Sequence, residues 1–317
     1  MDQINETTIS DLYDLAKQNK IDIDGLHAVL DKILSSNPDQ KTVHDFLECF
    51  HLPAVNRIIF EDDATDYWCD KITGLIEKYQ YHVGHLIKQR VSHYDKKSLF
   101  ISIVGDSVKS ISYSKVWHDL VQIGRALEML PNEEKDPIIG LLSNNQYKSA
   151  ILDLSCLSFG FRIVPIPLNA TAEHLFHILN EAEITHLFIG GEKGVLLWNK
   201  ISSELDISVI DLNEINTLKG NVISWETFQD LSDKNENADM DHLLNNQDMN
   251  WPITIMYTSG STDQPKGVIF NQANLMSKRF ARAIALPSFS SSDIFLCYLP
   301  LFHTFGRYFE LLGSIFW

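Results

Sequence analysis

Residues 258–267 read TSGSTDQPKG, and their types suit the holding of an anion. Gly260 lets the backbone turn without a side-chain clash. Successive N–H groups from Ser259 to Thr262 can then converge on a negative group as a nest. Thr258, Ser261 and Thr262 add hydroxyl donors, Lys266 adds a point charge, Pro265 stiffens the return and Gly267 follows it. A Walker A loop is excluded: it needs GxxxxGK[ST] with a helix directly behind it, and here the order is PKG with β-branched residues following. A dinucleotide fingerprint is excluded too, since no GxGxxG follows a strand. An ordinary hairpin rich in Ser and Gly is the competing reading of the composition.

A second candidate is His303, in PLFHTFG. It follows an apolar run, Ile294 to Leu299, read as a buried strand, and then a proline turn. Such a position projects from the C-terminal edge of a sheet, where α/β sites lie. Its bland alternative is a histidine packed under a loop. His174, His177 and His186 fall on helix or strand flanks and read as structural, and Trp117 as a core residue. Cys49, Cys69, Cys156 and Cys297 lie far apart without a CxxC pair, which suits thiols in a reducing compartment rather than a metal centre.

Elements must bring these residues together. Apolar runs at 99–104, 137–143, 162–168, 185–190 and 207–212 read as strands, with amphipathic helices between them at 114–127, 147–159 and 172–182. That alternation predicts an α/β fold with a parallel sheet covered on both faces. Ser114 is the expected cap of the first of those helices. Residues 226–250, rich in Asp and Asn, read as a polar excursion before the chain returns with TIMYTSG. Residues 1–70 read as a separate helical extension, with Asp24 as one cap and Asn37-Pro38-Asp39-Gln40 as a capping box leading into a second helix. Acidic EDDATD, 61–66, reads as a connector, so the expected division is 1–70 and 71–317.

The chain has 317 residues, 44% hydrophobic and 21% charged, with a net charge of -16. These values describe a globular protein and exclude broad nucleic-acid or anionic-membrane binding, which needs a basic face. About 15 Asp/Glu against 5 Lys/Arg fall in residues 1–70, a solvated helical surface or a docking patch for a basic protein partner. The N-terminus lacks a basic-then-apolar leader pattern, and the most apolar stretch contains Asp153, Arg162 and two prolines, so no transmembrane segment is expected. The expected location is cytoplasmic, with peripheral membrane association open. The last residues, FELLGSIFW, break off inside an apolar pattern, from which a truncated chain is expected.

TSGSTDQPKG, preceded by MY and followed by VIF, closely resembles the phosphate-binding signature of the adenylate-forming (AMP-binding) superfamily, agreeing at nine of its ten places. SISYSKVWHDLVQIGRAL, DPIIGLLSNN, GFRIVPIPLNATAEHLFHILNEAEITHLFI, FNQANL and SSSDIFLCYLPLFHTFGR resemble further family segments in the family's order, across residues 72–317. The resemblance implies the layered parallel-sheet subdomains of the family's large N-terminal domain, incomplete at the C-terminus.

It also implies activation of a carboxylic acid, a fatty acid for preference, by attack on the α-phosphate of ATP, then thioester formation with CoA. Such chemistry is mostly positioning and charge neutralisation. Thr258, Ser259, Gly260, Ser261, Thr262, Lys266 and Gly267 would hold the ATP phosphates, with Mg²⁺ shared among them. His303 would stand near the reacting carboxylate, and Phe302, Phe305 and Gly306 are candidates for the acyl pocket. No metal-ligating residue is assigned. Asp263 departs from the signature's glycine. A like charge about 5 Å from a phosphate, at an effective dielectric near 20, costs roughly 3 kcal/mol, so Asp263 is expected to turn outward and to reduce activity modestly. The family's later motifs are missing, so the isolated piece is expected to be inert. A peptide-synthetase-type adenylation domain and a non-catalytic relative acting as a binding module are the alternatives.

Overall fold

The computed structural model describes residues 9–130, 137–214, 217–258 and 264–317. Six helices come first: α1 (Ile9–Lys17), α2 (Ile23–Ser36), α3 (Gln40–Glu48), α4 (Pro53–Glu61), α5 (Thr65–Lys78) and α6 (Val83–Tyr94). A hairpin follows, β1 (Ser98–Val104) and β2 (Ser107–Ser112), and then α7 (Tyr113–Glu128). The main sheet is built by β3 (Ile138–Ser143), α8 (Tyr147–Phe159), β4 (Arg162–Pro165), α9 (Ala172–Glu181), β5 (His186–Gly190), α10 (Gly191–Trp198), β6 (Ser208–Asp211) and β7 (Val222–Ser224). It is completed by α11 (Trp225–Lys234), α12 (Met240–Asn245), β8 (Pro252–Thr258), β9 (Lys266–Asn271) and α13 (Gln272–Ala285), with α14 (Leu312–Phe316) at the end.

The strand order is β7-β6-β5-β3-β4-β8-β9, parallel throughout except for the antiparallel pair β8–β9. Because successive strand residues face opposite sides, Ile139 and Leu141 of β3 enter one core and Ile138 and Leu142 the other. The first core takes α7, α8 and α13, and the second takes α9 and α10. From β3 the chain steps to β4, then returns to β5 on the other side of β3. The connections therefore part at the C-terminal ends of β3 and β5, which opens a crevice there.

Several expectations are corrected. The strand at 99–104 belongs to the separate antiparallel hairpin, not to the parallel sheet. The polar stretch 226–250 contains α11 and α12, because Ser224 and Asp239 cap them by accepting from Thr227 N–H and His242 N–H. Caps lie two residues from where local spacing put two of them. Asp22, not Asp24, accepts from Gly25 N–H, and Ser112, not Ser114, accepts from Lys115 N–H. Asn37 ends α2 in the left-handed region at φ 48°, and Asp39 starts α3.

The boundary expected at residue 70 falls inside α5. Phe50 lies 5.7 Å from Phe280 of α13, and Phe280 lies 4.9 Å from Phe316 of α14. Buried Arg90 joins Glu48 Oε1 at 3.0 Å and Phe316 O at 3.3 Å. The acidic helices thus share one core with the sheet's first face, their charge facing outward apart from buried Glu48. Three imidazoles sit on this seam. His44, His82 and His85 are buried, with ring centroids 4.5 Å (His44–His85) and 4.0 Å (His82–His85) apart. Their Nε2 atoms meet Tyr79 O, Leu244 O and Asn245 Oδ1; the first ties α3 to the end of α5, and the other two fasten α6 to α12. Among the described residues no helix is long and apolar enough to cross a membrane.

Candidate functional site

β8 and β9 form a hairpin whose closing pair is Thr258 and Lys266. Ser259, Gly260, Ser261, Thr262 and Asp263 lie outside the described residues. The two anchors are set by strand pairing: Thr258 ends a strand whose Ile253 and Met256 are buried, and exposed Lys266 opens the return. Gly267 stands opposite Tyr257. A Cβ there would lie 2.8 Å from Ile255 Cγ2 and 3.2 Å from the Tyr257 ring, so glycine makes room for the aromatic ring across the strand. The Tyr257 hydroxyl donates to Glu181 Oε2 on α9 at 2.7 Å. Burial, then that carboxylate, push the phenol's pKa far above its ordinary value and keep it protonated.

A cavity of about 400 Å³ opens where β8 ends. Met256, Tyr257, Thr258 and Pro265 line it from the hairpin, Thr171, His174 and Ile178 from α9 and its cap, and Phe302, His303 and Thr304 from the far side. A second cavity, of about 630 Å³, lies in the crevice between β3 and β5, lined by Asn144, Gly190, Gly191, Lys193 and Pro300. Asn169 and Phe302 line both. A third, near Arg162 and Trp251, opens at the opposite end of the strands, away from the hairpin loop and from His303.

The expected strand Ile294–Leu299 is not one. Ile294, Leu296 and Tyr298 are exposed at 81%, 79% and 70%. A strand needs a hydrogen-bonding neighbour as well as apolar residues, and none of the sheet's strands pairs with this run. The Leu299 N–H instead donates to Glu310 Oε2 at 3.0 Å.

His303 is positioned by the turn rather than by a strand. Its N–H donates to Pro300 O at 2.9 Å, and its carbonyl accepts from Arg307 N–H at 3.0 Å. The ring's Nδ1 accepts from Phe305 N–H at 3.3 Å, so in the neutral imidazole the proton sits on Nε2. The chain then enters a π-helical turn, Gly306–Leu311. Phe305 is half-exposed and packs on Phe309, and Gly306 is buried beneath the turn. Of the three candidates for the acyl pocket, Phe302 lines both cavities, while Phe305 and Gly306 line neither.

A Cβ at Gly306 would stand 2.6 Å from Pro300 O and 2.7 Å from Leu299 O. Both are backbone atoms, so Gly306→Ala is expected to displace the turn and cost about 1–3 kcal/mol. The urea midpoint should fall at an unchanged slope.

Behind His303 lies a fully buried ion pair. Arg307 Nε and Nη2 meet Asp153 Oδ2 and Oδ1 at 2.7 and 2.5 Å, and Nη1 donates to Thr254 Oγ1 at 2.7 Å. Thr254 in turn donates to Ile163 O at 2.6 Å. The turn, α8, β4 and β8 are thereby joined. Burial works against the charged guanidinium, yet Asp153 and Tyr308 outweigh it and hold Arg307's pKa above its ordinary value.

His174, read as structural from its place on a helix, faces the first cavity, while His177 sits near Glu181 and His186 is buried. Spacing on α9 gave a usable signal: His174 and Ile178 are i and i+4 on one face. Among the described residues no group of three or more His, Cys, Asp or Glu is gathered to hold a metal ion.

A family model described as AMP-binding enzyme matches residues 87–317. The chain is 23% identical over 227 residues to a long-chain-fatty-acid–CoA ligase of Xenopus laevis, covering 70% of this chain and 31% of that protein. It is 26% identical over 217 residues to long chain acyl-CoA synthetase 2 of Arabidopsis thaliana, covering 63% and 31%. It thus spans about a third of the length of these relatives. Among solved structures, a red-emitting luciferase of Phrixothrix hirtus shares the fold with a TM-score of 0.60 at 18% identity, over 74% of this chain and 57% of that one.

Proposed function

The chain belongs to the AMP-binding enzyme family, and on that premise we propose that the complete protein activates a fatty acid with ATP and passes the acyl group to CoA. The observation that carries the reading is the meeting of Thr258, Pro265 and His303 around one cavity at the C-terminal end of β8. The loop between Thr258 and Lys266 receives the triphosphate, and Lys266 offsets the charge that develops as pyrophosphate leaves. The carboxylate lies beside His303, whose Nε2–H donates toward the reacting oxygens. Phe302 and Asn169, shared by the two cavities, separate the acid from a thiol entering through the crevice at Gly190 and Gly191. The chemistry asks for no covalent step on the protein, because a carboxylate is already a nucleophile; the gain comes from holding the groups in line. Names of the relatives favour a fatty acid over an amino acid as the substrate.

Fatty-acid-dependent ATP–pyrophosphate exchange by the full-length protein tests this. Lys266→Ala should lower kcat/KM for ATP by roughly 10–100-fold, the loss of one charge-assisted hydrogen bond, with little change in Tm because Lys266 is exposed. Exchange that responds to amino acids but not fatty acids would favour a peptide-synthetase-type domain. ATP binding without exchange would favour a non-catalytic binder.

A further inference from the structure

The turn bearing His303 is gripped by a residue more than 150 positions earlier. Asn145 follows the end of β3, and its Nδ2 donates to Leu299 O at 2.8 Å while its Oδ1 accepts from Leu301 N–H at 3.0 Å. One side-chain amide thus holds the backbone on both sides of Pro300, which has no N–H to offer. Pro300 and Phe302 on the gripped stretch wall the second cavity, and Phe302 and His303 wall the first.

We propose that Asn145 is the positioning residue of this site: it fixes the stretch that divides the cavity for the acid from the entry for the thiol. The proposal rests on the acid-activating reading above. Asn145 acts through the backbone of Leu299 and Leu301 and touches no reacting atom. The task needs a donor and an acceptor at once. An ionised aspartate would only accept and would set a charge against Leu299 O, whereas a protonated one again offers both.

Two variants of the full-length protein decide the matter. Asn145→Ala should lower kcat for fatty-acid-dependent exchange by roughly 100-fold, the scale of a 1 Å misplacement, and leave KM for ATP within about twofold, since β8 and β9 anchor the phosphate loop without Asn145. Asn145→Asp should regain activity as its carboxyl is protonated, so that its kcat relative to the unsubstituted protein rises at least about tenfold from pH 8 to pH 6. A flat ratio, or a KM for ATP raised as much as kcat falls, would overturn the positioning role. Hydrogen exchange supplies a readout without turnover: Asn145→Ala should speed exchange of the Leu301 amide at least about tenfold, and unchanged exchange would overturn the grip. If the unsubstituted protein shows no fatty-acid-dependent exchange, the acid-activating reading fails, while the Leu301 amide still reports whether Asn145 holds the turn.

Discussion

Asp153→Ala should be among the most destabilising single substitutions in the molecule, costing about 3–5 kcal/mol. Arg307 is 0% exposed, and Asp153 supplies two of its three side-chain hydrogen bonds. Removal of the carboxylate leaves a guanidinium that cannot shed its proton and has no water to turn to. Thr254 alone cannot balance that charge. The cost belongs to the orphaned cation rather than to the pair, so Arg307→Met combined with Asp153→Leu should recover most of the loss. Urea denaturation of the single and double variants checks this. A single-variant cost below about 1 kcal/mol would show that water or another anion reaches Arg307.

Acid should unlock the seam between α6 and α12. Burial lowers the pKa of His44, lowers that of His82 further and brings His85 to about 4, with His44 adding to the shift at His85 and His85 to that at His82. Lys88 also disfavours protonation of His85, while Asp45 favours it at His44. The native rings are neutral and the unfolded ones titrate near 6.5. Their contribution is therefore present above about pH 6.5 and is lost as pH falls toward the depressed native values. A ring that stays neutral in the native state adds up to about 1.4 kcal/mol per pH unit; His85 does so down to about pH 4, and His44 and His82 act in the same direction. Stability measured in urea should fall from pH 7 to pH 4.5, and His85→Gln should flatten the slope by about one ring's share. An unchanged slope would show that His85 is protonated in the native state.

The sequence made the sheet legible because its signals are local. α8 runs from Tyr147 to Phe159 as read, since an apolar run meets Gly160, which adopts φ 84°. β3 and β5 are buried along their whole length and read as unbroken apolar runs. The strands on either side of residues 259–265 were equally legible, because each needs only its neighbour in the pair β8–β9. The supports of the site were not. Asp153 and Arg307 are 154 positions apart, and Asn145 and Leu299 likewise; no local pattern announces such a partnership. Ile294–Leu299 misled for the converse reason: its apolar pattern is local, but a strand is completed by its neighbour. That residue 70 lies inside α5 was not legible, because charge reports mainly the outer face of the acidic helices, while Phe50 and Trp68 on their inner face share the core of α13.

The guanidinium of Arg307 also sets an order of events on the ribosome. Synthesis proceeds at about 5–20 residues per second, so the carboxylate of α8 goes unanswered for roughly 8–30 seconds while the 154 positions up to its counter-ion are made. During that interval Asp153 remains hydrated, and the space between α8 and β8 cannot close dry around it. A nascent chain arrested before residue 307 should hold this wall of the sheet open to solvent, and the same residue that seals it arrives four positions after His303.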